Sequence, residues 1–416
     1  MKIIWLCNMS IPSVCRLTGD SVSVFGGWLS DMSERLLSAE ENSFVLLYPD
    51  KRCRRGQQDH LFYYEFREDD CFDLFQEVIE AHNPDVIHIW GTDQRTLEMM
   101  CACEALHVTD RAVISITGLT SICARHYCTG LPEKVVKHKT FHERLRGTNI
   151  QYYQKQFVEY GKAEIRTLQL AKSVIGRTDF DKACTLQINP NLRYYYCGET
   201  LRACFYHRKW DRSKAKPHSI FVSQCSYPVK GFHYVLEAVQ ILKKTFPDVH
   251  VYTTGPDVRK LARNKLKVFT YAQYLSELIF RYDIDQNVTF LGTLDGEQMC
   301  QQYLEANVFV SASTIENSSN SVGEAMLVGC PVVASDVGGT QSLLRHGEEG
   351  FLYPVDAPYL LAFYVSRIFE EGELAEKISH NARIRAEQNH DAEKNFARLT
   401  SIYEEISRKE DTDGTK

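Results

Sequence analysis

The sequence predicts an α/β protein made of two doubly wound domains in series. Its 416 residues exceed the roughly 250–300 that a single hydrophobic core supports. Short, nearly continuous apolar runs alternate with longer amphipathic stretches, which is typical of a parallel sheet covered by helices on both faces. This alternation stops in a basic stretch near the middle of the chain and then begins again. Two such domains facing each other predict an interdomain cleft, because these sheets bind ligands at the carboxyl ends of their strands.

The first half contains five predicted strands. They span residues 2–8, 43–48, 85–90, 112–118 and 173–178, and helical patterns span residues 27–39, 71–82 and 140–171. Residues 1–197 are therefore the predicted N-terminal Rossmann-like domain. Residues 198–217, which are polar and basic, are the predicted linker.

The second half repeats the pattern. Strands are predicted at 219–225, 249–255, 288–292, 308–312 and 331–335, with helices at 232–246, 268–282, 296–305, 321–328 and 339–345. Residues 218–385 form the predicted second domain. A last helical pattern, 374–406, predicts a terminal helix over 386–408 that could cross back to the first domain. The polar tail 409–416 is predicted to be disordered.

Composition excludes several classes of protein. Hydrophobic residues make up 44% and charged residues 25% of the chain, which is typical of a globular protein. A formal net charge of −6 argues against nucleic acid as the main partner. No apolar run approaches the roughly 20 residues of a membrane span. The 14 cysteines form no CxxC pair, and the N-terminus has no cleavage site, so we expect a cytoplasmic protein.

The strongest functional signal is a polar loop that leads from a strand into a helix. Glu316 lies in this loop, and Glu324 follows on the helix. A helix N-terminus suits a phosphate, and two carboxylates suit neighbouring sugar hydroxyls. An ordinary helix cap explains the same residues, so the pattern alone leaves both interpretations open. The loop residues between the two carboxylates are Asn317, Ser318, Ser319, Asn320 and Ser321.

A resemblance favours the ligand-binding interpretation. The two glutamates, followed by Ala-Met and by Gly-Cys-Pro-Val-Val-Ala, resemble the signature of the family-4 retaining glycosyltransferases with the GT-B fold. The block from Gly338 to Pro354 also matches. The resemblance implies a nucleoside-diphosphate-sugar donor in the second domain and acceptor binding in the first. It assigns the donor sugar to Glu316, with help from Asn317 and Ser318, and the ribose to Glu324.

Lys230 occupies the place of the family's diphosphate-binding lysine. An ammonium there would stabilise the leaving nucleoside diphosphate, which makes Lys230 a predicted catalytic residue together with Glu316. The family commonly has an arginine six residues earlier, where this chain has Gln224. Without the resemblance, Lys230 reads as a solvated turn lysine.

Two features of the first half complete the predicted site. Gly26 and Gly27 follow the first strand, where the family brings its backbone close to the donor phosphates. Such a pair is also common in simple turns. His88, at the end of a strand, is a predicted catalytic residue by resemblance, with a satisfied core histidine as the alternative. A second family histidine is replaced by Thr117.

The basic segment 125–166 contains nine Lys or Arg against four acidic residues, with interleaved aromatics. It predicts peripheral contact with the inner face of the cell membrane or with a phosphorylated acceptor, such as a lipid-linked glycan. A solvated helix with a buried aromatic face is the alternative. No metal or other cofactor is expected, because Asp283 and Asp285 form a DxD only formally and no compact ligand cluster is visible.

The resemblance therefore implies a retaining, metal-independent glycosyltransferase that builds polysaccharide by moving a sugar to a hydroxyl of a glycan or lipid-linked acceptor. A nucleotide-sugar epimerase of the same architecture is one alternative. A non-catalytic relative that binds glycans or nucleotides is another, favoured by Gln224 and Thr117.

Overall fold

The structure, a computed structural model, describes residues 1–22, 26–39, 41–68 and 71–408. The predicted tail, 409–416, lies outside these residues. The strands, in chain order, are β1 (Lys2–Leu6), β2 (Ser43–Pro49), β3 (Arg55–Gln58), β4 (Leu61–Phe66), β5 (Val86–Trp90), β6 (Ala112–Ser115), β7 (Ser173–Gly176), β8 (Arg193–Tyr196), β9 (Ser219–Val222), β10 (His250–Thr253), β11 (Val288–Phe290), β12 (Val308–Ser311), β13 (Val332–Ser335) and β14 (Phe351–Tyr353).

Helices lie between most of the strands. They are α1 (Pro12–Thr18), α2 (Gly27–Leu37), α3 (Phe72–His82), α4 (Gln94–Ala105), α5 (Thr120–His126), α6 (Glu133–Lys137), α7 (Phe141–Arg146), α8 (Ile150–Leu170), α9 (Asp179–Ile188), α10 (Cys204–His207), α11 (Phe232–Leu242), α12 (Val258–Ala262), α13 (Thr270–Arg281), α14 (Gly296–Glu305), α15 (Asn320–Val328), α16 (Thr340–Leu343), α17 (Pro358–Glu370), α18 (Gly372–Asn389) and α19 (Ala392–Ser407).

The chain forms two compact units. The first contains the described residues of Met1–Ser121, Glu159–Arg202 and the stretch that begins at His390. The second contains Ile122–Val158 and Ala203–Asn389. This division differs from a simple cut at the predicted linker, because residues 122–158 make their contacts mainly with the second unit.

The first unit is built on a mostly parallel sheet. In the described residues its strand order is β3-β4-β2-β1-β5-β6-β7-β8, and β3 alone runs antiparallel, to β4. The central strands are buried almost throughout, as the continuous apolar runs predict. Helix α19 covers this sheet through Leu399, Ile402 and Tyr403. The indole Nε1 of Trp5 donates to the Tyr403 hydroxyl at 2.8 Å.

The second unit has a parallel sheet of order β11-β10-β9-β12-β13-β14 among the described residues. Helices α11 and α15, which follow β9 and β12, are largely buried. Two parallel α/β units in one chain confirm the predicted fold class. Strands β3, β4, β8 and β14 are additional to the prediction. The edge strands β3, β8 and β14 are short and carry little apolar signal, whereas the apolar strand β4 was missed.

Two predicted helices are each divided in the structure. The pattern over 140–171 is α7 and α8, and Gly147 at φ 70° ends α7. The pattern over 374–406 is α18 and α19, and the Asp391 side chain accepts from the Lys394 N–H to begin α19. A glycine C-cap and an aspartate N-cap are sufficient causes for both breaks.

Candidate active site in the second unit

The loop that carries Glu316 joins β12 to α15 and is tied down along its length. The Thr314 N–H donates to the Val229 carbonyl at 2.7 Å. The Ser335 hydroxyl donates to the Ser313 carbonyl at 2.6 Å. These bonds attach the loop to both neighbouring segments and fix the conformation of its backbone.

Two glycines allow this close packing. Gly231 has φ +63°, and a Cβ there would lie 1.8 Å from the Ala312 carbonyl oxygen. Gly338 has φ +51°, and a Cβ there would lie 2.0 Å from the Glu316 carbonyl oxygen. The Gly339 N–H donates to that same oxygen at 3.0 Å. Only a residue without a side chain fits at either position, so the glycines determine how closely the Glu316 loop packs against its neighbours.

Lys230 and Glu316 form an ion pair at the centre of the site. The Lys230 ammonium donates to Oε1 of Glu316, and the Ser313 hydroxyl donates to the same oxygen at 2.7 Å. Burial by itself lowers the pKa of Lys230, but the Glu316 carboxylate, with a smaller effect from Tyr227, outweighs burial and raises this pKa above its usual value. Lys230 is therefore a fixed cation beside a carboxylate that retains a second oxygen for other hydrogen bonds.

Glu324 lies on α15 and is buried. It accepts a hydrogen bond from the Tyr303 hydroxyl at 3.0 Å. Burial, and then the charge of Glu324, raises the pKa of Tyr303 well above its usual value, so Tyr303 stays a proton donor. The sequence offers no local signal for this contact, because Tyr303 lies on α14 in a separate part of the chain.

The remaining predicted donor residues lie in the Glu316 loop, at the start of α15 and after β9. Asn317 is buried, and Ser318, Ser319, Asn320 and Ser321 are partly exposed at the start of α15. The first N–H groups of a helix have no partners within it and form a positive end, so this position suits a phosphate. Gln224 follows β9 and is partly exposed. It brings amide hydrogen-bonding groups, but no charge, to the end of the strand that leads to Lys230.

A segment from outside the second sheet also reaches the Glu316 loop. The Thr314 hydroxyl donates to the His126 carbonyl at 3.0 Å. Gly130 approaches Tyr234 so closely that a Cβ would meet its hydroxyl at 2.0 Å. The segment 122–158 therefore contributes to the surroundings of the site within the second unit.

Gly26 and Gly27 lie at the start of α2 in the first unit. Gly26 has φ +80°, and a Cβ there would lie 2.2 Å from Sδ of Met9. A Cβ on Gly27 would lie 2.3 Å from Nε of Arg202. Both glycines are therefore required by local packing. Their predicted role beside the donor stays a prediction.

The structure favours the core alternative for His88 over the catalytic one. His88 is fully buried in the first unit, with Nδ1 bonded to the Tyr403 hydroxyl and Nε2 2.7 Å from the Ser115 hydroxyl. Burial lowers its pKa to about 3. A neutral ring with both nitrogens occupied within the core is poorly placed to exchange a proton with a substrate.

A small cavity of about 30 Å³ opens at the carboxyl ends of β5 to β8 in the first unit. Thr117, Arg177, Glu199 and Thr200 give it polar groups, and Trp90 lines the same space. Arg177 and Glu199 form an ion pair. The Thr200 hydroxyl is buried without a hydrogen-bond partner among the described residues. The cavity could therefore offer a hydrogen bond to a small polar group.

The described residues offer neither a metal-binding cluster nor a membrane-spanning helix. No group of three or more His, Cys, Asp and Glu in the described ranges is placed to hold a metal ion. The aspartates of the formal DxD lie in a surface turn, where Asp285 pairs with Arg259 and Asp283 with Lys243. None of the helices described is both long and apolar enough to cross a bilayer.

Comparison with known proteins finds a matching family model over part of the second half of the chain. Residues 205–385 match the family model described as glycosyl transferases group 1. An uncharacterized glycosyltransferase of Methanocaldococcus jannaschii is 30% identical over 166 residues, which are 39% of this chain and 38% of that protein. A D-inositol 3-phosphate glycosyltransferase of Jonesia denitrificans is 27% identical over 165 residues, 39% of this chain and 37% of that protein. The chain thus spans less than half the length of these two curated relatives.

Two solved structures share the fold over nearly the whole chain. Sucrose-phosphate synthase from Thermosynechococcus elongatus superposes with a TM-score of 0.68 at 16% identity, covering 98% of this chain and 99% of that one. HepE from Anabaena, in complex with UDP-glucose, superposes with a TM-score of 0.66 at 19% identity, covering 97% and 100%. These superpositions confirm the predicted GT-B fold, and the family model with the curated relatives confirms the predicted resemblance to glycosyltransferases.

Proposed function

We propose that this chain, a glycosyltransferase-family protein of group 1 with the GT-B fold, moves a sugar from a nucleoside-diphosphate donor to an acceptor hydroxyl with retention of configuration. One observation carries the proposal. Lys230 is paired with Glu316, and α15 begins four residues after Glu316, at Asn320, so one short loop joins a cation and a carboxylate to a helix N-terminus. A cation and a helix N-terminus suit a diphosphate, and a carboxylate accepts hydrogen bonds from sugar hydroxyls.

In the proposed reaction, Lys230 and the N-terminal end of α15 hold the diphosphate, while Glu316 accepts hydrogen bonds from the donor sugar. The bond between the anomeric carbon and the diphosphate oxygen breaks, and a bond to the acceptor oxygen forms on the same face. The leaving phosphate oxygen takes the acceptor proton. Lys230 stabilises the charge that grows on the diphosphate, which lowers the barrier at the step where that charge develops.

Glu324 has a supporting part in this proposal. Its carboxylate would bind the ribose hydroxyls, and the Tyr303 hydroxyl holds it in position. Gln224 would replace the family's arginine with uncharged hydrogen bonds to the diphosphate. This leaves Lys230 as the main side-chain cation for the donor. We therefore expect this protein to depend on Lys230 more strongly than a relative with both cations.

We also propose that the reaction needs no metal ion. A lysine and a helix end supply positive charge where other enzymes place a divalent cation. Activity should be unchanged after exhaustive treatment with EDTA. Loss of activity in EDTA, with recovery on addition of Mg²⁺ or Mn²⁺, would contradict this part of the proposal.

The acceptor is proposed to be a glycan or a lipid-linked glycan of polysaccharide synthesis. Within the first unit, the cavity beside Thr117 and Arg177 offers hydrogen bonds to an acceptor hydroxyl. We place the enzyme in the cytoplasm at the inner face of the cell membrane, where such acceptors are presented.

The direct test is release of nucleoside diphosphate from a panel of nucleotide sugars, with and without glycan acceptors. UDP-glucose, which is bound in the HepE neighbour, is the first donor to try. Lys230→Ala should lower kcat by about a hundredfold to a thousandfold, as loss of one charge-stabilising donor does elsewhere. Lys209→Ala, which removes an exposed lysine of the same unit, is the matched control.

The products separate this proposal from its alternatives. An α-linked donor should give an α-linked product, which NMR of the anomeric proton identifies. Conversion of the nucleotide sugar to its epimer without acceptor would indicate the epimerase. Tight binding of nucleotides without turnover of any donor would indicate the non-catalytic relative. If Lys230→Ala and Glu316→Gln both retained full activity, the assigned roles would be wrong.

A further inference from the structure

The second unit carries a surface with an unusual composition, which we call the α7/α13 platform. It consists of residues 134–146 and 260–280. Nine of its residues are Lys or Arg and two are acidic, although the whole chain has a net charge of −6. One of the two acidic residues, Glu143, is buried. The platform is therefore a strongly basic area on an acidic protein.

Most of these charges lie outside any ion pair, although the acidic Glu277 lines the same groove as Lys139, Arg144 and Lys265. Across the described parts of the chain, Lys137 alone of the nine is in an ion pair, with Glu133. The nine are Lys134, Lys137, Lys139, Arg144, Arg146, Lys260, Arg263, Lys265 and Lys267. Cations left without carboxylate partners attract an external anionic surface.

Large apolar side chains stand among these cations. Phe141 is 54% exposed, Leu145 72%, Leu266 63% and Phe280 87%. Phe141 and Phe280 line one groove of about 620 Å³ together with Lys139, Arg144 and Lys265. Exposed apolar side chains of this size are costly in water unless another surface covers them.

The platform is held together by buried hydrogen bonds. Glu143 closes the capping box of α7 with Thr140 and also accepts from the Thr270 N–H, the first residue of α13, at 3.1 Å. The Thr140 hydroxyl donates to the Val268 carbonyl at 2.7 Å. One buried carboxylate thus caps two helices, so the exposed side chains project from a fixed support.

We propose that the α7/α13 platform docks on an anionic phospholipid bilayer. The cations would lie at the lipid headgroups, and Phe141, Leu145, Leu266 and Phe280 would enter the interface between headgroups and acyl chains. A soluble polyanion such as nucleic acid would use the positive charge but would leave these apolar groups in water. The combination of charge and exposed apolar area therefore favours a membrane over a soluble polyanion.

This inference deepens the proposed function, on which its biological meaning rests, because an enzyme docked in this way meets lipid-linked acceptors. The segment 122–158 connects the two places within the second unit. It contacts the Glu316 loop at His126 and contributes α7 to the platform. Docking itself requires no nucleotide sugar, so it is measured independently of transfer.

The test is co-sedimentation of the full chain with vesicles. One set contains phosphatidylcholine alone and the other contains equal parts of phosphatidylcholine and phosphatidylglycerol. We expect binding to the anionic vesicles only, weakening as salt is raised. Arg144→Gln, Arg146→Gln and Lys265→Gln together should weaken binding about a hundredfold, at about fivefold for each charge lost near the surface.

Apolar variants separate a membrane from a soluble polyanion. Leu145→Ser with Phe280→Ser should lower vesicle binding at least tenfold and leave retention on a heparin column unchanged. Phe363→Ser, an exposed phenylalanine on α17, is the matched apolar control. Lys209→Gln, Lys244→Gln and Lys377→Gln together, at three exposed lysines, are the matched charge control, and neither control should change binding.

Three results would overturn the inference. They are equal binding, or none, to both kinds of vesicle; full vesicle binding by the apolar variant; and equal loss in the charge control. A further pair of results would assign the platform to a soluble polyanion. The charge variant would lose retention on heparin, and the apolar variant would keep its vesicle binding. A thermal-shift assay with nucleoside diphosphates, run on every variant, separates failure of docking from failure of the donor site.

Discussion

Replacement of Gly231 by alanine tests whether glycine packing positions the loop that carries Glu316. A Cβ at this position would lie 1.8 Å from the Ala312 oxygen, and real Cβ contacts stay above 3.0 Å, so the oxygen has to move by about 1.2 Å. The left-handed backbone of Gly231 adds a cost of about 1–2 kcal/mol for any residue with a Cβ. A displacement of about 1 Å at a positioning group can lower the rate roughly a hundredfold. Glu316, four residues beyond Ala312, should therefore lose its alignment.

Gly347→Ala is the matched control for this experiment. Gly347 also has a left-handed backbone, at φ +77°, but a Cβ there would meet nothing within 4 Å. Gly347→Ala should lose about 1–2 kcal/mol of unfolding free energy in urea titrations, and Gly231→Ala should lose more, because its Cβ also collides with the Ala312 oxygen. Only Gly231→Ala should also lose about a hundredfold in kcat/KM for release of nucleoside diphosphate. Gly338→Ala, which collides with the Glu316 oxygen itself, should behave like Gly231→Ala.

The reasoning would be refuted if Gly231→Ala and Gly347→Ala showed the same kinetics. It would also be refuted if Gly231→Ala lost stability alone while binding nucleoside diphosphate as tightly as the wild type. Either result would mean that the loop carrying Glu316 adjusts to the new side chain without cost to the site.

Three further predictions concern buried polar groups. Glu143→Ala leaves the Thr270 N–H and other buried donors without an acceptor. Urea unfolding should therefore show a loss of about 2–4 kcal/mol in the free energy of unfolding. The exposed Glu277→Ala should lose less than about 1 kcal/mol. Tyr303→Phe removes the hydroxyl that positions Glu324, and calorimetry should show nucleoside diphosphate binding about tenfold more weakly, whereas equal affinity would contradict this support. The pKa of His88 falls from 6.5 to about 3 on burial, so the unfolded chain binds more protons between these values and stability must fall as the pH drops below 6.5. At pH 5 this amounts to about 2 kcal/mol, and His88→Gln should flatten the decline in unfolding midpoint between pH 7 and pH 5; an unchanged slope would contradict it.

The sequence by itself determined the layered α/β architecture. Buried parallel strands such as β1, β5 and β12 are continuous apolar runs, and that signal lies within a few neighbouring residues. The strand-loop-helix from Val308 to Val328 was equally local, so its two glutamates could be recognised as a candidate site. Edge strands such as β3 were not predictable in this way, because an edge strand does not need an apolar run.

Only the tertiary structure decided how distant residues meet. Lys230 and Glu316 are 86 positions apart, and their ion pair exists because β9 and β12 are neighbours in the sheet. The same holds for Glu143, which caps a helix that begins 127 residues later. His88 could have faced a ligand or the core, and packing against α19 directed it to the core. Local sequence patterns show which residues are apolar or can cap a helix. Contacts between remote residues depend instead on which strands become neighbours in the sheet.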